Sequence, residues 1–147
     1  MSDSSKLLPG FAKHSVCLAD TMDEDGYPSD KTCELISTWD FINDADNFLK
    51  QVQSVWAYDT FDVSTAPPKD AVPHLIPSID EEDKSIWLRA ATVGWSGNES
   101  ILVAMEKNPY VNMWWFMSLQ GGLVIYKFPR FIFSQYNKTD EPEEENS

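Results

Sequence analysis

The stretch Thr92-Val93-Gly94-Trp95-Ser96-Gly97-Asn98-Glu99-Ser100 decides how this chain is read. Just before it, Ser85 to Thr92 alternates in character. Ile86, Leu88 and Ala90 fall on one side and Trp87 and Arg89 on the other, which is the period of a half-buried strand. Just after it, Ile101-Leu102-Val103-Ala104-Met105-Glu106-Lys107 reads as a helix that Asn108-Pro109 ends, because proline disfavours helical geometry in the residue before it. Ser96 followed three residues later by Glu99 predicts a capping box, with the serine oxygen taking the Glu99 amide and the carboxylate reaching back to Ser96. The unit is strand, glycine turn, short helix.

Such a junction is a candidate ligand site. Trp95 would stack on a ligand, Ser96 and Asn98 would hydrogen-bond it, and Glu99 would accept a hydrogen bond or act as a base, with Arg89 and Gln120 as neighbours. A helix start favours anions, but Glu99 in the first turn opposes one. The nucleophile-elbow pattern G-x-S-x-G is not met, since Gly97 follows Ser96 directly. The competing reading is a well-capped helix whose Trp95 plugs the core.

The 147 residues fit one domain, with residues 1–139 globular and residues 140–147 an acidic, disordered tail. The formal net charge of -13 disfavours direct contact with nucleic acid or an anionic membrane, where phosphate recognition needs Lys and Arg. It suits a basic protein partner, including mimicry of nucleic-acid charge, and also serves plain solubility. No segment approaches the ~20 apolar residues that span a bilayer. The N-terminus lacks the apolar core of a signal peptide. Cys17 and Cys33 are too few for a disulfide scaffold, no Cys/His spacing resembles a metal site, and no cofactor motif is present. A cytoplasmic location follows as the expectation.

Taken in order, residues 1–28 read as irregular. Ser29 is the expected N-cap of a helix from Asp30 to Trp39. Asn43 is the expected cap of a second, from Asp44 to about Ala57, with Ala45, Phe48, Leu49, Val52, Val55 and Trp56 on one stripe. Residues 58–84, broken by Pro67-Pro68, Pro73 and Pro77, read as a long loop, closed by Asp80-Glu81-Glu82-Asp83. His74 within it is a candidate acid or base by residue type alone. Val111 to Leu119 is apolar on both alternating faces, which predicts a strand buried on two sides. Gln120-Gly121-Gly122 is a hairpin signal, and Leu123 to Phe128 is the returning strand.

The predicted order is helix, helix, strand, helix, strand, strand. That is an α+β fold, with a small, largely antiparallel sheet of three to four strands and helices on one face. If Trp87 and Arg89 share a face with Trp114 and Phe116, the sheet carries an aromatic patch that needs an internal cover or a partner.

Thr92-Val93-Gly94-Trp95-Ser96-Gly97-Asn98-Glu99, the aromatic strand after it, Gly121-Gly122, and the upstream Gly26-Tyr27-Pro28-Ser29 together resemble a family of small proteins from phages, prophages and other mobile elements. The likeness covers roughly residues 26–128. The family pattern places an Arg where Gln120 stands and a His where Leu123 stands, so any role of that pair is lost here. The resemblance implies a mobile-element accessory protein and no particular mechanism.

Three functions follow as expectations. The first is a binding module that occupies, and so inhibits, a basic host or immune protein that handles nucleic acid. Its contact surface would comprise Asp80, Glu81, Glu82 and Asp83 with the aromatic patch of Trp87, Trp114 and Phe116. The second is a small-molecule, nucleotide or hydrolytic site at the Gly94–Ser100 turn. The third is a virion or assembly component. An enzyme is the less favoured class, because no Cys/His or Ser/His pair, metal cluster or phosphate loop stands at informative spacing. The oligomeric state is not legible.

Overall fold

A computed structural model describes residues 16–76 and 84–133. Asp80, Glu81, Glu82, Asp83 and the acidic tail lie outside the described residues.

The chain builds α1 (Asp30–Thr38), α2 (Ala45–Val55), β1 (Phe61–Ser64), β2 (Ile86–Ala91), α3 (Ser96–Glu106), a one-turn α4 (Pro109–Asn112), β3 (Trp115–Leu119) and β4 (Leu123–Phe128). The strands form one four-stranded antiparallel sheet in the order β1-β2-β4-β3. The fold is α+β, as the residue pattern predicts.

Ser29 caps α1 as expected, accepting from the Thr32 amide while the Thr32 hydroxyl accepts from the Ser29 amide. The Ser29 and Thr32 hydroxyls also donate to the Thr21 carbonyl at 2.6 and 2.9 Å, which ties the preceding turn to the helix start. For α2 the cap position is Asp44 rather than Asn43. Asn43 donates to Asp40 instead, and the Asp44 carboxylate takes the buried Trp39 indole N–H at 2.8 Å.

The α2 stripe, Ile36 and Trp39 of the α1 region, Ile101 and Met105 of α3, and Leu88, Tyr126 and Phe128 of the sheet make one core. Period two on β2 and β4 and period 3.6 on the helices aim these side chains at a single layer. The opposite face of the sheet carries a second, small cluster of Ala71, Trp87 and Ile125, with Leu75, Phe116 and Met117 packed against it.

The structure corrects further expectations. The residue 58–84 segment is not all loop. It contains β1, whose Phe61 pairs with Ala90, and a 3-10 turn at Val72–His74. Its prolines hide this strand from a propensity reading. Val111–Leu119 is not one doubly buried strand. Asn108 accepts from the Tyr110 amide and Pro109 opens a helical turn, so the strand starts only at Trp115. β4 fills the central place beside β2, which leaves β3 at the sheet edge with Trp115 half exposed. Trp114 also leaves the proposed aromatic face and packs against the main core, while a register shift after Trp115 marks the bulge at Phe116.

Candidate functional site

The reference stretch is a knot of backbone and side-chain ties. Val93 and Gly94 both adopt positive φ, 47° and 82°, and the Trp95 amide closes the turn on the Thr92 carbonyl at 3.0 Å. Valine tolerates such a φ poorly, so the surrounding contacts must hold it there. The Thr92 amide donates to the Gly122 carbonyl at 3.0 Å, and a Cβ at Gly122 would overlap the Thr92 hydroxyl. The Gly121-Gly122 turn is therefore docked directly on the start of the motif.

Ser96 opens α3, but no capping box forms. The cap residue is Trp95, without a side-chain cap bond. The Ser96 hydroxyl lies 3.0 Å from the Tyr27 hydroxyl instead, and the Tyr27 ring packs 5.0 Å from the Trp95 ring. The indole also covers Gly97, where a Cβ would collide with the ring. Tyr27 thus competes successfully for the serine oxygen that the capping reading assigned to the helix.

Asn98 is fully buried. Its side chain accepts from the Ala57 amide at 2.9 Å, donates to the Ala57 carbonyl at 3.0 Å and reaches the Thr92 carbonyl at 3.4 Å. Its side-chain hydrogen bonds run to backbone. Gly26-Tyr27, Thr92–Glu99 and Gly121-Gly122, three separate pieces of sequence, meet around this one turn.

Glu99, like Ser96, is exposed. It lines a groove of about 550 Å³ between α1 and α3, together with Asp30, Cys33, Glu34 and Ser37 from α1 and Ser96, Ser100, Val103, Ala104 and Lys107 from the α3 side. Each set follows one helical face, at spacings of three to four residues. The two helices run side by side in the same direction. Tyr27 meets Ser96 at their starts, the Cys33 thiol sits 4.0 Å from the Ser100 carbonyl midway, and the buried Asn108 amide donates to the Ile36 and Trp39 carbonyls at their ends. Val103 is 47% exposed and gives the groove an apolar wall. Burial, and secondarily the Asp30 carboxylate, raise the Cys33 thiol above its usual pKa, while Lys107 pulls the other way.

The remaining proposed residues lie elsewhere. Arg89 projects from the outer face of the sheet, where its guanidinium pairs with Asp70 at 2.9 Å and holds that carboxyl below its usual range. Gln120 is exposed at the β3–β4 turn and does not line the groove. Trp87 is only 4% exposed, with Phe116 edge-on at 5.2 Å and the Lys127 ammonium 5.5 Å from its ring centre. The aromatic patch is therefore covered from within the chain, and Trp87 is not an available contact surface. His74 is exposed in its 3-10 turn. Among the described residues, no group of three His, Cys, Asp or Glu is placed to hold a metal ion, and no helix is long and apolar enough to cross a membrane.

The residues that the sequence reading missed are Tyr27, Asp30, Cys33, Glu34 and Lys107. Their helical spacing is visible in the sequence, but which helix faces which is not.

Comparison with protein-family models, with curated proteins and with solved structures finds no match. The site therefore rests on this chain's own geometry. Both signs of charge occur on both sides of the sheet: Asp30, Glu34 and Glu99 line the groove together with Lys107, and Arg89, Asp70 and Lys127 lie on the opposite face.

Proposed function

We propose that this chain is a small acidic accessory protein of a phage or other mobile element, which binds a basic, nucleic-acid-handling host or immune protein and inhibits it by occupying it. The observation that carries the reading is the α1–α3 groove. It joins an apolar wall at Val103 and Ala104 to three carboxylates, Asp30, Glu34 and Glu99, on one surface. Carboxylates on a surface of this kind steer a cationic partner and repel nucleic acid. The mobile-element setting rests on the motif resemblance.

The alternative, a small-molecule or hydrolytic site at the Gly94–Ser100 turn, has less support. Asn98 is sealed against backbone, Ser96 engages Tyr27, and Arg89 stands on the other face of the sheet.

The test is retention of host proteins on the immobilised chain, with nucleic acid digested away, at low and raised salt. A variant carrying Asp30→Asn, Glu34→Gln and Glu99→Gln serves as control. A basic protein should be held at low salt, released as salt screens the contact, and lost by the variant. Equal retention by the variant would remove the groove from the interface. No retention at low salt would overturn the binding-module reading.

A further inference from the structure

We infer that the occupant of the α1–α3 groove is an amphipathic helix of the partner, lying antiparallel to both walls, with its basic residues in its C-terminal turns. The inference rests on the binding-module reading above and adds the occupant's secondary structure and direction.

The direction follows from how the walls are built. α1 and α3 point the same way, since Tyr27 meets Ser96 at one end and Asn108 bonds Ile36 and Trp39 at the other. A helix laid antiparallel against them sets its negative C-terminal end beside their positive N-terminal ends, which favours that direction. Its C-terminal end then lies beside Asp30 and Glu99, which occupy the first turns of α1 and α3. Lys and Arg are favoured in a helix's last turn by its own dipole, and here they also meet two carboxylates. Lys107 stands just past the end of α3, so an acidic residue in the occupant's first turn finds a cation there. Val103 supplies the apolar contact between the charged ends. The side chains at three- to four-residue spacing on both walls match the ridges of a helix.

Charge also selects among occupants. A second copy of this chain brings a net charge of -13 toward an acidic groove, and the chain's own Glu-rich residues 141–145 are repelled in the same way. A basic helix meets neither penalty.

The test uses two labelled peptides of about three turns, matching the length of α3, each held helical by a side-chain staple because so short a helix is marginal in water. Both have the same composition and the same apolar stripe. One places Lys and Arg in its C-terminal turns and Glu in its first, and the other reverses the charges. Binding to the full chain is read by fluorescence anisotropy at low salt, and occupancy of the groove by protection of Cys33 from alkylation. The first peptide is expected to bind about fivefold tighter than the second. Glu99→Gln should narrow that preference, and Lys107→Glu should narrow it from the other end. Equal binding of the two peptides, both protecting Cys33, overturns the direction and leaves the binding-module reading standing. Binding without protection moves the helix to another surface and overturns the inference. Failure of both peptides to bind overturns a helical occupant, and the binding-module reading is judged separately by the retention experiment. A peptide-free dimer that shields Cys33 would assign the groove to a second copy and overturn the inference.

Discussion

Asn98 holds Ala57 by both of its backbone polar groups, accepting from its amide at 2.9 Å and donating to its carbonyl at 3.0 Å. The two residues are 41 positions apart, and the pairing does for the segment after α2 what a neighbouring strand would otherwise do. A side-chain amide is the smallest group that offers a donor and an acceptor in this arrangement.

Replacing Asn98 by Ala should therefore destabilise the fold strongly. It strips partners from two backbone groups beside a fully buried site, and each costs about 1–3 kcal/mol when left unsatisfied. Thermal unfolding should show a fall in Tm of roughly 5 °C or more. Asn98→Asp should also destabilise, because a carboxylate cannot donate to the Ala57 carbonyl. A fall of less than a degree in both variants would show that Ala57 finds other partners.

Gly97→Ala should be destabilising by overpacking, at about 1–3 kcal/mol, since the new methyl overlaps the Trp95 ring. Combining it with Trp95→Ala should recover part of the loss, because the clash disappears with the ring. Chemical denaturation of the single and double variants measures the coupling. Strict additivity would mean that the ring moves aside at no cost.

The absence of a capping box has its own signature. Glu99→Ala should leave stability within about 0.5 kcal/mol, the range for exposed surface substitutions, rather than the ~1 kcal/mol of a lost cap. Ser96→Ala should act through Tyr27, so it should have little effect in a Tyr27→Phe background. Full independence of the two substitutions in a double-mutant cycle would refute the hydroxyl pairing.

Two tryptophans of the same sheet, on strands separated by β4, should behave oppositely. Trp87→Ala removes a buried ring from the small cluster on the outer face and should cost about 3–5 kcal/mol. Trp115→Ala removes a ring that is 50% exposed at the sheet edge and should cost less than about 1 kcal/mol. Urea midpoints compare them directly. A larger loss for Trp115 would mean that the edge is packed in solution.

Cys33 reports on pH. Burial first, and Asp30 next, push its thiol pKa up, against the opposing pull of Lys107. A folded pKa above the unfolded one means that the group's contribution to stability is complete below the unfolded pKa. It is lost as pH rises through the folded value, so neutral conditions leave it intact. In a Cys17→Ser background, alkylation of Cys33 should be slow at neutral pH and accelerate only well into the alkaline range. Asp30→Asn should move that onset to lower pH, and Lys107→Ala to higher. An onset unaffected by either change would deny both charges a place beside the thiol.

The residue pattern by itself determined a good deal. The stripe of Phe48, Leu49, Val52 and Val55 specified α2, the alternation of Ile86, Leu88 and Ala90 specified β2 and its buried face, Ser29 specified the start of α1, and Gly121-Gly122 the last hairpin. These are local periods and local caps, and neighbouring residues encode them. Pairing between distant segments was decided only by the tertiary structure. Tyr27 took the Ser96 hydroxyl from the helix cap, β4 took the central place that both apolar faces of β3 suggested for β3 itself, and Asp70 took Arg89 away from the turn. The groove is of this second kind. Asp30, Glu34 and Glu99 are unremarkable surface acids until α1 and α3 lie side by side, because a charge's neighbour across a helix pair is set by packing and not by its place in the chain.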